Sequence, residues 1–389
     1  MSKKIVLSGY FGFDNLGDEA ILYSIIQEVK KMQNTEITVL SANPEKTSQK
    51  FGVAAVDRMS PKEVIRTIKN CDMFISGGGS LLQDVTSNRS LLYYLALLRL
   101  AKLFGKKVMI YSQGIGPVNG AKNRKSLAKA FKNLDIINVR DKESYEELMG
   151  MGVKKPISIT ADTVFLLQGP DKEKGKSILG ELMAQDEPLE QLLEAVEAAT
   201  EPTQESEKPE AITIGIAIRP WKDLDEKIIL ETKKTIEKLQ EIKEYPIKIV
   251  FLPFHHPGDL TLSQAVYDSL DNKTNVYVVK NQLDEREMLS LMANVDIILS
   301  MRLHGLIFGV VGGAYPVAIS YDPKIDSLMK ELGLKKPMGV ENMDSKLLVE
   351  QLEESIKNIK ALKEETKELA ELMQKRAQEG IELIKEGIQ

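Results

Sequence analysis

Arg302 and His304 are two residues whose types and spacing could perform acid–base chemistry on an anion. They stand two apart in the stretch ILSMRLHGLIFG, so in an extended segment both side chains would point the same way. The apolar run that follows predicts a helix, and the N–H groups at a helix N-terminus favour an anion. Arginine adds a fork-shaped charge for phosphate or carboxylate, and histidine can move a proton near neutral pH. The alternative is structural, with a helix-capping histidine and an ion-paired arginine.

His255 and His256, in the stretch FLPFHHPGD, are the other two histidines of the chain. All three histidines lie at predicted strand ends. No acidic partner stands at metal-ligand spacing, so we expect no metal site. The pair either contacts a substrate or orders its loop. Arg140, in VRDKES, also follows a predicted strand, where it binds either a substrate or a surface carboxylate.

Glycine-rich turns follow three further predicted strands. The turn SGGGSLLQD contains Gly78 and Gly79, and it either cradles phosphate or forms a tight turn where another chain segment passes close. The turn SQGIGP contains Gln113. The stretch GYFGFDNLGDEAIL does not fit the dinucleotide fingerprint, and the absence of G-x-x-x-x-G-K-[ST] excludes a P-loop NTPase.

The elements that would position these residues alternate between strand and helix, which predicts parallel sheets covered by helices. We expect two doubly wound, Rossmann-like domains with a cleft between them and a helical tail. The expected ranges are 1–168 for the first domain, 169–211 for a linker that is part helical and part mobile, 212–344 for the second domain and 345–389 for C-terminal helices. Ligands of such sheets bind at the carboxyl ends of the strands, where the polar motifs concentrate.

Composition narrows the class of protein. The 389 residues contain 43% hydrophobic and 28% charged residues, and the net charge is -5, so we expect no nucleic-acid partner. The single cysteine, Cys71, excludes an intramolecular disulfide and favours a cytoplasmic location. No apolar run approaches the roughly 20 residues that span a bilayer. The charged tail fits either contact with a membrane face or simple solvation.

Together the motifs resemble the polysaccharide pyruvyl transferase family. The matching stretches are GYFGFDNLGDEAIL, SGGGSLLQD, YSQGIGP, VRDKES, ADTVF, FHHPGD and SMRLHGLIFG, over roughly residues 4–330. The resemblance is nearest to bacterial enzymes that pyruvylate a secondary cell-wall polymer used in S-layer anchoring. It implies a fold like that of GT-B glycosyltransferases and transfer of pyruvate from phosphoenolpyruvate to two hydroxyls of one sugar as a cyclic ketal. Phosphoenolpyruvate is then a co-substrate, and no cofactor or metal is implied.

The resemblance also implies roles for individual residues. Arg302 and His304 would bind phosphoenolpyruvate and support catalysis, with Arg140 and Lys324 as further cationic contacts. The stretch GFDNLGDEA would face the sugar, with Asp14, Asn15 and Asp18 bonding its hydroxyls. Asp14 or Asp18 is a candidate general base, and an N-cap is the structural alternative for Asp18. Further expected substrate contacts are Gly78, Gly79, Gln113, His255, His256 and Leu303.

The expected acceptor is a β-linked N-acetylmannosamine on a lipid-diphosphate-linked precursor, at the cytoplasmic side of the membrane. His304 would either protonate C3 of phosphoenolpyruvate or stabilise the leaving phosphate. Two rival functions stay open: a GT-B glycosyltransferase that uses a nucleotide sugar, and a binding protein without activity. The acceptor sugar, the ring positions joined and the oligomeric state are left open by the sequence.

Overall fold

The computed structural model describes residues 2–85, 87–186 and 211–389. These residues fall into two units, each with its own sheet. The N-terminal unit comprises Met1–Leu167 and Ala370–Gln389, and the C-terminal unit comprises Gln168–Leu369. Both sheets are parallel throughout, so the prediction of two doubly wound α/β domains is confirmed. A cleft between the domains stays a prediction.

The N-terminal unit is built on a seven-stranded sheet of order β3-β2-β1-β4-β5-β6-β7. The strand order reverses between β1 and β4, so the loops after these two strands diverge and leave a crevice suited to a ligand. The strands are β1 (Lys3–Ser8), β2 (Thr35–Ser41), β3 (Ala54–Asp57), β4 (Met73–Gly77), β5 (Lys107–Gln113), β6 (Ile136–Val139) and β7 (Ser158–Ile159). The helices are α1 (Leu16–Lys30), α2 (Pro44–Phe51), α3 (Pro61–Asn70), α4 (Asn88–Leu103), α5 (Ala121–Phe131) and α6 (Lys142–Gly150).

The core of this unit follows from apolar spacing. All five residues of β4 are buried, as expected for a central parallel strand covered on both faces. On α4, the buried residues Leu91, Leu95 and Leu98 recur with helical spacing and belong to the core cluster that also contains Phe74 and Ile110. These contacts hold the carboxyl ends of β4 and β5 in fixed positions.

The C-terminal unit contains a six-stranded sheet of order β10-β9-β8-β11-β12-β13, with its reversal between β8 and β11. The strands are β8 (Ile212–Ala217), β9 (Ile247–Phe251), β10 (Val276–Val278), β11 (Ile297–Ser300), β12 (Tyr315–Ser320) and β13 (Met338–Gly339). The helices are α7 (Lys172–Asp186), α8 (Asp225–Gln240), α9 (Gly258–Ser269), α10 (Glu285–Met292), α11 (Leu303–Gly312), α12 (Pro323–Glu331), α13 (Ser345–Lys357) and α14 (Ile359–Ile388). The buried residues Ile214, Ile249 and Leu299 join three neighbouring strands in its core.

The first part of the predicted linker is a packed helix. The Asp171 N–H donates to Ser290 Oγ at 3.0 Å, and Asn294 Nδ2 donates to the Lys172 carbonyl at 3.1 Å. A Cβ on Gly175 would lie 2.0 Å from the Ser290 carbonyl oxygen, so α7 approaches α10 closely because Gly175 has no side chain. Residues 168–186 therefore belong to the C-terminal unit. The polar remainder of the predicted linker, 187–210, lies outside the described residues.

The predicted C-terminal helices are present as α13 and α14. The chain beyond residue 369 groups with the N-terminal unit rather than forming a separate tail domain. Arg376 Nη2 donates to the Thr160 carbonyl at 2.7 Å, and a Cβ on Gly380 would lie 3.0 Å from the Tyr111 ring. The end of α14 is thus a structural part of the N-terminal unit.

Candidate functional site

Arg302 and His304 lie where β11 ends, at the reversal point of the C-terminal sheet. Their expected placement in one extended segment is wrong, because β11 ends at Ser300 and α11 begins at Leu303. The Ser300 hydroxyl accepts a hydrogen bond from the Arg302 N–H and donates one to the Arg302 carbonyl, both at 2.9 Å, which turns the chain into the helix. Arg302 is the extended N-cap residue, and His304 lies within the first helical turn. Leu303, the first residue of α11, is buried.

A carboxylate that sequence reasoning missed holds Arg302. Asp259, which is completely buried, accepts from Arg302 Nε at 2.8 Å and also from Nη2, forming a bidentate ion pair. Arginine has five N–H donors, so three remain, and the opposite edge of the guanidinium can offer two of them to another anion. The sequence feature that could have indicated Asp259 is its position in the FHHPGD motif, at the start of a predicted helix.

The same aspartate shapes the histidine loop after β9. Asp259 Oδ2 accepts from the N–H groups of Phe254 and His255 at 3.1 and 3.0 Å. Burial lowers the pKa of the half-buried His255, and the positive charge of Arg302 lowers it further. Asp259 opposes this effect, whereas Arg219 and His256 add to it. His255 is therefore neutral near neutral pH. His256 is partly exposed on the same loop.

A second arginine, also missed, lies after β8. Arg219 Nη1 donates to the Tyr321 hydroxyl at 2.8 Å, and its guanidinium lies 4.6 Å from the Tyr321 ring centroid. Trp221 packs against Tyr321 with ring centroids 4.5 Å apart. Lys324 Nζ lies 5.4 Å from the Tyr321 ring centroid and 3.4 Å from Asp322. The sequence features that could have indicated Arg219 are the stretch IRPW at a predicted strand end and the single tryptophan of the chain.

Three cationic side chains lie at the carboxyl edge of the C-terminal sheet, and Asp259 and Asp322 pair with two of them. Arg219, Arg302 and Lys324 follow β8, β11 and β12, and the helix dipole of α11 adds positive potential near Arg302. Rings rather than carboxylates hold Arg219, so its charge is not neutralised by its supports. The arrangement can bind a small molecule with two anionic groups.

The opening loop of the N-terminal unit, residues 9–15, joins β1 to α1. Asn15 is the N-cap of α1, because its Oδ1 accepts from the Gly17 N–H at 3.1 Å. The N-cap alternative for Asp18 is therefore wrong, and Asp18 lies in the first turn of the helix. Asp14 has a φ of 58° and pairs with Lys46 at 2.6 Å. The Gly12 N–H, in a left-handed turn, donates to Glu19 at 2.8 Å.

Two exposed aromatic side chains project from this loop. Tyr10 and Phe13 stack with centroids 4.1 Å apart and an interplanar angle of 10°. Arg58 lies 5.2 Å from the Phe13 centroid and donates to the Gly9 carbonyl at 3.3 Å. Burial and then Asp18 raise the pKa of Tyr10, so its hydroxyl stays protonated. A stacked pair of this kind presents an apolar face to a sugar ring.

Gly78 and Gly79 after β4 both have left-handed backbones, with φ of 70° and 68°. A Cβ on Gly78 would lie 2.1 Å from Ile21, and one on Gly79 would lie 3.1 Å from Asp18 Oδ1. Helix α1 therefore passes close to this turn, which agrees with the alternative of a tight turn where another chain segment passes close. A substrate contact at these glycines stays a prediction.

Arg140 is enclosed within the N-terminal unit. Its side chain is 5% exposed; Nη1 donates to Asp162 at 2.9 Å, Nε to Asp141 at 3.2 Å and Nη2 to Ser80 at 3.0 Å. Burial opposes its charge, but Asp162 and Asp141 outweigh that effect and raise its pKa. The nearby Gln113 is fully buried, and its amide makes no hydrogen bond within the described residues. Substrate contacts by both residues stay predictions.

Two further observations concern metal sites and membrane-spanning helices. Among residues 2–85, 87–186 and 211–389, no group of three or more His, Cys, Asp or Glu side chains is arranged to hold a metal ion. Within those same ranges, no helix is both long and apolar enough to cross a bilayer.

Solved structures with a similar fold include two 2-epimerases and a glycosyltransferase. The UDP-GlcNAc 2-epimerase of Neisseria meningitidis, solved bound to UDP-GlcNAc, is 13% identical with a TM-score of 0.60, covering 99% of this chain and 100% of that chain. A putative UDP-N-acetylglucosamine 2-epimerase of Listeria monocytogenes is 12% identical with a TM-score of 0.62, covering 99% and 96%. A glycosyltransferase of Rickettsia africae is 12% identical with a TM-score of 0.60, covering both chains completely. At these identities the likeness shows the fold alone, and that fold is GT-B-like.

A comparison with curated proteins gives no match. The family model described as polysaccharide pyruvyl transferase matches residues 15–323. The match runs from the N-cap of α1 to the start of α12, and so includes the opening loop's last residue, the Arg140 network, and Arg219 and Arg302 of the C-terminal unit, whereas Lys324 lies one residue beyond it. Because it spans most of the sequence, the chain belongs to the polysaccharide pyruvyl transferase family and is a transferase with a polysaccharide acceptor.

Proposed function

We propose that this enzyme transfers pyruvate from phosphoenolpyruvate to two hydroxyls of one sugar, forming a cyclic ketal and releasing phosphate. The observation that carries the proposal is the pair of arginines at the carboxyl edge of the C-terminal unit. Arg302 has one guanidinium edge fixed by Asp259, and Arg219 is supported by Tyr321 and Trp221. Phosphoenolpyruvate carries a carboxylate and a phosphate, so it needs two such cationic partners.

The ion pair with Asp259 prepares Arg302 for a planar anion. It fixes the guanidinium plane and leaves an edge with donors for bidentate contact. Arg219 and Lys324 would meet the second anionic group, with first-turn N–H groups of α11 assisting. Fixed cations of this kind can neutralise the departing phosphate, so the proposal requires no cofactor or metal.

In the reaction, His304 would give a proton to C3 of phosphoenolpyruvate, which leaves an oxocarbenium-like centre at C2. One sugar hydroxyl adds to C2 and loses its proton to a base. A second hydroxyl then attacks C2, the bond from C2 to the phosphate oxygen breaks, and that hydroxyl's proton leaves with the phosphate or a base. The sugar loses two hydroxyl protons in all. One of them makes up for the proton that C3 gained, and the other leaves with the phosphate or a base.

The acceptor would bind at the opening loop of the N-terminal unit. The stacked Tyr10 and Phe13 offer an apolar surface for a sugar ring, and Asp14, Asn15 and Asp18 supply polar groups. Asp14 and Asp18 both stay candidates for the base. By the family resemblance, the acceptor is a β-linked N-acetylmannosamine of a lipid-diphosphate-linked cell-wall precursor at the cytoplasmic side.

The test is incubation with phosphoenolpyruvate and a panel of N-acetylhexosamine acceptors, with a chelator present in half of the reactions. We expect one acceptor to gain the mass of one pyruvate ketal, with one phosphate released per product and no effect of the chelator. The rival function is sugar-nucleotide chemistry, because the structurally similar proteins include an epimerase bound to UDP-GlcNAc. Nucleotide release from a UDP-sugar, without ketal formation, would replace the proposal with that rival.

A further inference from the structure

The net negative charge of the chain hides a strongly basic segment. From residue 85 to residue 134 the sequence contains ten lysines and arginines and no aspartate or glutamate, although the chain as a whole carries -5. This segment includes α4, β5 and α5 of the N-terminal unit. Apart from its exposed first residue, Lys107, β5 is buried, so most cations of the segment lie on the two helices and at their ends.

Helix α5 presents a single stripe of lysines. Lys122, Lys125, Lys129 and Lys132 recur at spacings of three, four and three residues, so they lie on one face, and all four are exposed. The buried side of the helix carries apolar residues, including Leu127. The stripe faces solvent and is not used to pack the domain.

Helix α4 presents a matching stripe of two arginines and three apolar residues. Arg89, Leu92, Ala96, Arg99 and Leu103 share one face and are all exposed. Leu92 is 47% exposed and Leu103 is 79% exposed. The opposite side of α4 supplies the leucines of the core. Leu92 thus projects into solvent between Arg89 and Arg99, and Leu103 projects at the C-terminal end of the stripe.

The two stripes adjoin. Arg99 Nη2 donates to the Ser126 carbonyl at 3.2 Å and to Ser126 Oγ at 2.8 Å, which links α4 to α5. We call the two stripes together the α4–α5 basic face. It combines a row of lysines with isolated protruding leucines on one domain.

We propose that the α4–α5 basic face docks on the surface of an anionic lipid bilayer. Lysines near such a surface are attracted by its negative potential, and single leucines can enter the boundary between headgroups and acyl chains. Leu92 and Leu103 are eleven residues apart, or roughly 16 Å along a helix. That separation is too wide for one hot-spot pocket on a protein partner, whereas a bilayer accepts scattered apolar side chains. Nucleic acid would use the cations but would leave the leucines exposed.

The test uses the full chain and vesicles of neutral phosphatidylcholine, with or without added anionic phosphatidylglycerol. We expect sedimentation with the anionic vesicles only and release at high salt, because surface charge attraction is screened. Each lysine near an anionic surface contributes about fivefold to binding. The combined variant Lys122→Gln, Lys125→Gln and Lys129→Gln should therefore bind about a hundredfold more weakly.

The matched control lies on α14. Lys360, Lys367 and Lys375 are also exposed lysines, but acidic residues are interspersed among them. Their combined change to glutamine alters the net charge by the same amount and should leave vesicle binding unchanged. Both triple variants should keep the wild-type circular dichroism spectrum, because exposed Lys→Gln changes preserve helix propensity. An equal loss in the control would mean that net charge, and not this face, governs binding.

The leucines are tested separately. Leu103→Ser should weaken vesicle binding several-fold, whereas Leu372→Ser, at a position that is 52% exposed on α14, should have no effect. Wild-type protein that ignores anionic vesicles would overturn the proposal. So would a wild-type dimer that Leu103→Ser converts to monomer with vesicle binding unchanged, since the face would then join two copies. Vesicle binding is measured without substrates, so the result does not depend on the proposed reaction.

Discussion

The carboxyl edges of the two sheets each carry an arginine that the family resemblance connects with phosphoenolpyruvate, but the surroundings of the two side chains differ. Arg140, in the N-terminal unit, is 5% exposed and bonded to two carboxylates and a hydroxyl. Arg302, in the C-terminal unit, is 14% exposed and bonded to one carboxylate through one edge. Both guanidinium groups keep unused N–H donors, so the two arginines differ in that Arg302 is more exposed and is paired with one carboxylate rather than two.

The two edges also differ in what else they offer. The N-terminal edge presents a stacked aromatic pair and carboxylates, which suit the faces and hydroxyls of a sugar. The C-terminal edge presents Arg219 and Lys324 beside aromatic rings, together with His255 and His304. The proposed function assigns anion binding to one unit and sugar contacts to the other, and each assignment can be tested separately.

The largest expected effect is on turnover. His304→Gln keeps a hydrogen-bond donor but cannot shuttle a proton, so we expect turnover to fall by about 10²–10⁴-fold. Arg302 and Arg219 remain, so calorimetry should show affinity for phosphoenolpyruvate within a few-fold of wild type. A variant with near-normal turnover would show that another group donates the proton.

Arg140→Lys tests the enclosed arginine. A lysine cannot satisfy Asp162, Asp141 and Ser80 together, and breaking a buried pair costs about 3–5 kcal/mol. We expect the free energy of unfolding, measured with denaturant, to fall by about that amount. Unchanged stability combined with weaker phosphoenolpyruvate binding would instead make Arg140 a substrate ligand and would remove the contrast between the two edges.

Arg302→Lys tests the prepared arginine. The ammonium group can still pair with Asp259 but cannot offer a second bidentate edge, so affinity for phosphoenolpyruvate should fall by about 1.5–3 kcal/mol. Arg58→Lys, beside the aromatic pair of the N-terminal unit, is the control and should leave that affinity unchanged. Equal losses in the two variants would contradict the assignment of the anion to the C-terminal unit.

Binding of phosphoenolpyruvate should depend on the protonation of His255. Burial and Arg302 lower its pKa, so the free protein holds it neutral, and a bound phosphate would raise that pKa again. Binding should therefore take up a proton and strengthen as the pH falls through the raised pKa of His255 in the complex. His255→Asn removes this contribution and leaves the titration of the ligand itself. If the phosphoenolpyruvate affinity of the wild type and that of His255→Asn change with pH in the same way, His255 lies outside the site.

The smallest effect concerns the acceptor. Replacing Phe13 by alanine removes half of the stacked pair, which should weaken acceptor binding by about 0.5–1.5 kcal/mol. The KM for the sugar acceptor should rise, while calorimetry with phosphoenolpyruvate should be unchanged. Phe51→Ala, in the core of the same unit, serves as a control for general destabilisation. A change in phosphoenolpyruvate affinity would show that the two binding functions are not divided between the units.

Local pattern was sufficient for most of the fold. The alternation of strand and helix signals predicted both parallel sheets, and Pro61–Asn70 forms a helix over the residues expected. The start of α11 was missed because apolar and polar residues alternate from Leu299 to His304, which fits a continued strand, so hydrophobic periodicity could not locate the boundary. The hydrogen bonds of Ser300 to Arg302 locate it instead.

The sequence by itself determined the fold class, the family resemblance and the concentration of polar motifs at strand ends, because each depends on residues close together in the chain. Only the tertiary structure decided which cations are available to an anion. Asp259 lies 43 residues from Arg302, and Tyr321 lies 102 residues from Arg219. Whether a guanidinium retains its charge and donors depends on such distant partners. The order of the strands in the sheet brings these partners together, and that order cannot be inferred from a local sequence pattern.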